Sequence, residues 1–182
     1  MDPFATLGID RTFDIDLPAV ERTHRELSRA LHPDKHMSGG ASERRYALSK
    51  AIEVNEAWRT LQDPIRRAEA LFTLRGIAVG ESNEPKPSAA LLMDMMDQRE
   101  NLADARAKHD ERVVRALASE IEGRARGAER ALSEGFREAG SASTDRAALE
   151  RLLPRLGELR FYRRFLDEVS EGFDLATVAA GE

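Results

Sequence analysis

Cysteine is absent from the 182 residues. That excludes disulfides, a thiol nucleophile and any thiolate-bound zinc or iron–sulfur centre held by the chain itself, though not a partner that carries one. Aromatic residues make up only 5% of the chain, and runs of alternating β-branched residues are missing. Nothing therefore reads as a strand, and the abundance of Ala, Leu, Arg and Glu points to helices throughout. No apolar run approaches the roughly 18 residues that would cross a bilayer. The opening MDPFATLGID has no basic region ahead of an apolar one, so it does not read as a secretion signal, and the cytoplasm is the expected compartment. An excess of positive charge is missing too. Residues 1–76 hold 12 basic and 12 acidic side chains, residues 77–182 hold 16 and 21, and the net charge is −5. A mildly acidic chain argues against binding to a nucleic-acid backbone, which calls for a basic face.

What is present is helical punctuation. Asp2 caps a short helix with Pro3 at its first position and Gly8 at its end. Asp16 caps a longer one in which Leu17, Val20, His24, Leu27 and Leu31 recur at steps of three and four, the period of a single buried stripe. Pro33 ends it, because the residue before a proline is pushed out of the α region. After the polar loop HPDKHMSGGAS a third helix runs from about Glu43 to Leu61 with Ala47, Ala51, Val54, Trp58 and Leu61 on one face. Asp63-Pro64 closes it and caps a fourth, with Ile65, Ala68, Leu71 and Phe72 inward until Gly76.

Residues 77–87, IAVGESNEPKP, carry turn formers without periodicity and read as a short linker stiffened by Pro85 and Pro87. Ser88 then caps a helix that runs to about Ala107. A long helix over about 109–139 has Val114, Leu117, Ile121, Ala125, Ala128, Leu132 and Phe136 as its stripe. A last helix, capped by Ser143 or Thr144, carries Leu149, Leu152, Leu156, Leu159 and Leu166. Short connections between three helices imply an antiparallel bundle. Pro154 must either kink the last helix or move its start, since an interior proline costs roughly 3 kcal/mol. The expected architecture is all-α: an N-terminal helical hairpin with short flanking helices over 1–76, a linker at 77–87, a three-helix bundle over 88–172 and a frayed tail over 173–182.

His32-Pro33-Asp34 falls at the tip of the hairpin. Pro33 restricts the loop, so less entropy is lost when a partner grips His32 and Asp34. The Asp34 carboxylate suits an arginine fork on that partner. Arg22, Arg25 and Arg29, spaced by three and four, share one solvent face, and Lys35 extends the positive strip. This order of a basic second helix, an HPD loop, a long third helix and a short fourth resembles the J domain. The resemblance implies docking on the ATP-bound state of a DnaK-class chaperone and acceleration of its hydrolysis, with His32, Pro33 and Asp34 as the trigger. Arg22, Arg25, Arg29 and Lys35 would be the electrostatic contacts. Glu21 and Glu26 interrupt the strip, which implies a modest affinity. No catalysis by the chain itself is implied: the chain would bias a two-state partner.

A second surface emerges from the helix after Ser88. Leu91, Met95, Gln98, Leu102 and Ala105 form one stripe and suffice for bundle packing, yet Leu92 lies about 100° from Leu91, with Met93 and Met96 further round. The helix is apolar over more of its circumference than a three-helix bundle can bury. Methionine is the adaptable residue of surfaces that accept partners. Asp97 and Glu100 border this face, and Phe161 of the last helix, off the leucine stripe, could complete it. From the residues alone the face is either a partner site or a fixed joint with the first domain.

Further stretches narrow the resemblance. DPFATLGI, LHPDKH, Val54-Asn55-Glu56-Ala57-Trp58 with Leu61, DPIRRAEALF, LLMDMMDQRENL and ELRF together are similar to the HscB family, J-proteins dedicated to iron–sulfur cluster assembly. Neither the Gly/Phe-rich region nor the Cys-rich zinc repeats of many other J-proteins are present. The resemblance implies an HscA-like chaperone partner and an IscU-like scaffold protein. The scaffold would be held by Leu92, Met93, Met96, Asp97, Glu100 and Phe161. No cofactor, metal, membrane or nucleic-acid partner is implied, and the chain is expected to be a monomer. Where the family usually has an aromatic, this chain has His24, read as completing the core with its edge exposed. Two rivals stand beside this reading. One is a metal-dependent enzyme built on His32, Asp34 and His36, with or without His24, although no Glu general base or Gly-rich phosphate cradle accompanies them. The other is a general J-protein whose C-terminal bundle binds a different client.

Overall fold

The four helix starts marked by Asp2, Asp16, Asp63 and Ser88 are capped by those very side chains. Asp2 accepts from the Phe4 amide at 3.0 Å, Asp16 from Ala19 at 3.0 Å, Asp63 from Ile65 at 2.8 Å and Ser88 from Leu91 at 3.1 Å. Each such bond satisfies an otherwise orphaned amide and contributes about 1 kcal/mol. The computed structural model describes residues 1–36, 40–80, 85–140 and 146–179, and all regular structure among them is helical. In chain order the helices are α1 (Pro3–Leu7), α2 (Leu17–Ala30), a 3-10 turn (Pro33–His36), α3 (Ala41–Gln62), α4 (Pro64–Leu74), α5 (Ala89–Ala107), α6 (Glu111–Ala139), α7 (Arg146–Glu150) and α8 (Leu153–Ala179).

Two compact units result. The first comprises residues 1–79 together with 136–149. Its frame is the α2/α3 hairpin, with α1 and α4 packed on α3. Val20 is the one fully buried member of the α2 stripe; His24, Leu27 and Leu31 are half-buried and Leu17 is exposed. On α3, Ala47, Val54, Ala57 and Leu61 are buried, with Ala51 and Trp58 half-buried. After α4 the chain turns at Gly76 (φ +72°), where Ile77 donates to the Phe72 carbonyl at 2.9 Å and Gly76 to Thr73 at 3.0 Å. This paired ending satisfies two terminal carbonyls and needs a left-handed residue between them, which glycine adopts without strain. The turn buries Ile77, so the expected linker begins with a core residue; residues 81–84 lie outside the described part.

Residues 136–149, which the sequence reading assigns to the second domain, cluster with the first unit. The ring of Phe136 lies 5.0 Å from Phe72 and stacks on Phe13 at 5.7 Å. The Arg75 guanidinium lies over Phe136 at 5.5 Å, and Arg67 over Phe13 at 4.9 Å. Arg67 is buried, and its Nη1 donates to the Leu61 carbonyl at 2.7 Å. Phe136 is thus the centre of an aromatic cluster. Phe136→Ala is expected to destabilise the chain by about 3 kcal/mol through the cavity it leaves, read as a lowered urea midpoint. A midpoint within error of the wild type would mean that the cluster carries no stability.

The second unit comprises residues 80–135 and 150–182. Asp94 of α5 pairs with Arg124 of α6; the two residues stand equally far from the α5–α6 turn, as antiparallel neighbours must. The expected α6 stripe is buried except for Leu117, which is half-buried. A Cβ on Gly135 would meet the tip of the Leu152 side chain, which packs into the space that glycine leaves open. The last helix takes the second course open at Pro154, a moved start, and departs from expectation in two further ways. It is broken at residues 151–152, and Pro154 occupies the first turn of α8, where its missing amide costs nothing. The break resets the helical phase: Leu153, Leu156, Leu159, Tyr162, Phe165 and Val169 are buried, while Leu152 and Leu166 are half-buried. The helix also runs past Gly172 to Ala179, because one glycine costs only about 1 kcal/mol and no proline follows it. Residues 180–182, and the caps expected at Ser143 or Thr144, lie outside the described residues.

Candidate functional site

The HPD segment follows the last turn of α2, which Leu31 closes with a bond to the Leu27 carbonyl at 2.9 Å. Pro33 opens the 3-10 turn, tightened by Lys35 donating to the His32 carbonyl at 3.0 Å. The Asp34 amide donates to His32 Nδ1 at 3.3 Å, and Asp34 Oδ2 lies 3.5 Å from that nitrogen. Nδ1 of the ring thus faces both the amide and the carboxylate of Asp34. The His32 and Asp34 side chains are 60% and 79% exposed. The turn therefore holds a donor and a carboxylate together at the surface.

Arg22, Arg25, Arg29 and Lys35 are all exposed. Arg25 is paired with Glu21 at 2.5 Å, an exposed contact that costs little to open. Arg22, Arg29 and Lys35 make no ion pair among the described residues, so three of the four cations are available. His24 stacks on Trp58 with ring centroids 5.4 Å apart and meets Asn55 Oδ1 through Nε2 at 3.0 Å. It thus packs its ring on α3 and adds a polar tie between α2 and α3. Among the described residues no group of three or more His, Asp or Glu side chains is arranged to hold a metal.

In the second unit α5 buries Met95, Leu102 and Ala105, with Leu91 and Gln98 half-buried. Leu92 is 40% exposed, and Met93 and Met96 are 67% exposed each. Asp97 and Glu100 are exposed beside them. Phe161 is half-buried, with the Arg164 guanidinium 5.1 Å from its ring centroid. An ion pair of 3.1 Å joins Arg99 of α5 to Glu168 of α8. Arg99 stands two turns after Leu92 and Glu168 two turns after Phe161, so each shares a helix face with its partner. Burial, with the Glu158 carboxylate, pushes the Tyr162 phenol up from its ordinary value; Arg124 and Asp94 act on the same hydroxyl. The structure leaves Leu92, Met93 and Met96 of α5 uncovered and Phe161 of α8 half-buried.

Sequence reasoning passes over Leu48 and Ile52 of α3, which are 54% and 56% exposed. They lie off the buried stripe, and the only signal in the sequence is large apolar residues at positions a stripe does not need.

Residues 2–70 match the family model of the DnaJ domain, and residues 87–170 match that of the HSCB C-terminal oligomerisation domain. The Co-chaperone protein HscB homolog of Burkholderia multivorans is 33% identical over 166 residues, 91% of this chain and 90% of its own. That of Bordetella avium is 41% identical over 121 residues, 66% of this chain and 71% of its own. The solved chaperone HscB from Vibrio cholerae superposes with a TM-score of 0.83 at 25% identity, covering 97% of this chain and 99% of that one. Human co-chaperone protein HscB shares the fold, with a TM-score of 0.81 at 21% identity over 93% of this chain and 81% of that one. No helix among the described residues is long and apolar enough to cross a membrane. With a J domain followed by the C-terminal domain particular to these relatives, the chain belongs to the HscB family of co-chaperones.

Proposed function

We propose that this co-chaperone stimulates the ATPase of a DnaK-class, HscA-like chaperone through His32-Pro33-Asp34 and delivers to it an IscU-like iron–sulfur scaffold protein, for cluster transfer and maturation of iron–sulfur proteins. The observation that carries the reading is the exposure of Met93 and Met96, 67% each, on a helix that already buries Met95, Leu102 and Ala105. Large apolar side chains with a polar rim and no partner of their own favour a protein client. In this scheme residues 1–76 act on the chaperone, 77–87 link and 88–172 hold the scaffold. The chain works in the cytoplasm as a monomer, without cofactor or metal. It biases the chaperone's conformational equilibrium through its preference for the ATP-bound state.

The test is chaperone ATPase rate against concentration of this chain, with and without an iron–sulfur scaffold protein. Synergy between the two is expected; stimulation that ignores the scaffold would favour a general J-protein with another client. Arg22, Arg29 and Lys35, which make no ion pair among the described residues, add a second expectation. At subsaturating concentration, stimulation should fall several-fold as salt rises from about 50 to 300 mM, because exposed charges are screened over that range. A response that stays flat would leave the α2 cations as a solvated face without a docking role.

A further inference from the structure

Leu48 and Ile52 are one turn apart on α3 and adjoin on its surface. Their position relative to α2 follows from the His24–Asn55 bond and the His24–Trp58 stack, which mark the line along which α2 and α3 touch. Counting from that line along antiparallel helices sets Arg29 level with about position 51 and His32 level with about position 48. Around α3, Leu48 lies about 20° and Ile52 about 60° beyond Asn55, away from the contact line. The corresponding rotation on α2 leads from His24 through Ser28 to Arg25 and Arg29. Because the helices run antiparallel, both rotations open onto the same outer face of the hairpin. That face carries Arg25 and Arg29 on one helix, Leu48 and Ile52 on the other, and the HPD turn at its tip. Arg45, exposed and two turns before Ile52, borders it.

We propose that Leu48 and Ile52 are the apolar anchor of the chaperone-docking surface, seated in a hollow of the DnaK-class partner that acidic side chains border. The proposal rests on the reading of His32-Pro33-Asp34 as the docking loop. Charge identifies the occupant: Arg29, Lys35 and Arg45 are exposed and make no ion pair among the described residues. They would attract an acidic rim. A second copy of this chain is disfavoured, since a two-fold contact through this face would set cation against cation. Cations at the border and two branched side chains between them match the usual division between rim and anchor.

The experiment titrates the full chain against a DnaK-class chaperone and reads its ATPase, comparing wild type, Leu48→Gln/Ile52→Gln, Tyr46→Gln and His32→Gln. The double variant is expected to raise the half-maximal concentration about tenfold or more, to reach the wild-type maximum at saturation and to melt as the wild type does. Tyr46→Gln, exposed on another side of α3, should leave the curve in place. An unmoved curve for the double variant, with stimulation lost in His32→Gln, overturns the anchor and leaves the docking loop standing. Stimulation retained by His32→Gln overturns the loop reading itself. A melt far below the wild type's overturns the anchor as well, because the pair would then be packing residues. So does a wild type that sediments as a dimer while the double variant is a monomer with unchanged stimulation.

Discussion

His32→Gln is expected to abolish stimulation of the chaperone ATPase while leaving the far-UV spectrum and the melting temperature where they are. The ring meets the Asp34 amide through Nδ1 while its side chain stays exposed, and glutamine has no rigid ring to hold that arrangement. The side chain is 60% exposed and touches neither core, so its loss should change stability by no more than about 0.5 kcal/mol. Asp34→Asn should behave in the same way, because it keeps the turn but removes the charge that an arginine fork would grip. Wild-type-like stimulation by His32→Gln would end the J-domain mechanism for this chain, whatever its family.

Leu92→Ala/Met96→Ala/Phe161→Ala carries the other large effect. Apolar side chains at the centre of an interface contribute on the order of 1–2 kcal/mol each. The triple variant should therefore weaken scaffold binding by two or more orders of magnitude in a calorimetric titration. Met96 and Leu92 are uncovered, so their truncation should cost the fold little. Phe161 is half-buried under Arg164 and should account for most of a modest loss, about 1 kcal/mol. Stimulation through the HPD turn without scaffold should persist. Normal scaffold binding by the triple variant would assign this face to another partner. A collapse in stability would mean that the three residues are packing residues.

Both candidate sites are legible in the sequence because each is a local signal. An HPD tripeptide between two amphipathic stretches must fall at the tip of a hairpin whichever way the helices later pack. The excess of apolar residues around α5 follows from counting 100° per residue. What counting cannot supply is which second face stays uncovered. Leu92, Met93 and Met96 are open and Phe161 only half so, a difference that depends on where α8 crosses α5. Leu48 and Ile52 show the converse: they are open although nothing in the periodicity marks them, since an exposed leucine is common and becomes informative only beside its spatial neighbours.

By itself the sequence determined the helical class, the four side-chain caps, the glycine endings of α1 and α4, the HPD turn and the surplus apolar face of α5. All of these depend on interactions within one or two turns of a helix, or on covalent limits such as those of proline. Only the tertiary structure decided that Phe136 completes the aromatic cluster of the first unit with Phe13 and Phe72. The same holds for the burial of Tyr162, Phe165 and Val169 after the break before Pro154, and for the packing of the Leu152 side chain against Gly135. Each joins residues far apart in the chain or depends on the phase with which a helix restarts. Burial there is set by the distance of closest approach between helices, a quantity that no single stretch of sequence contains.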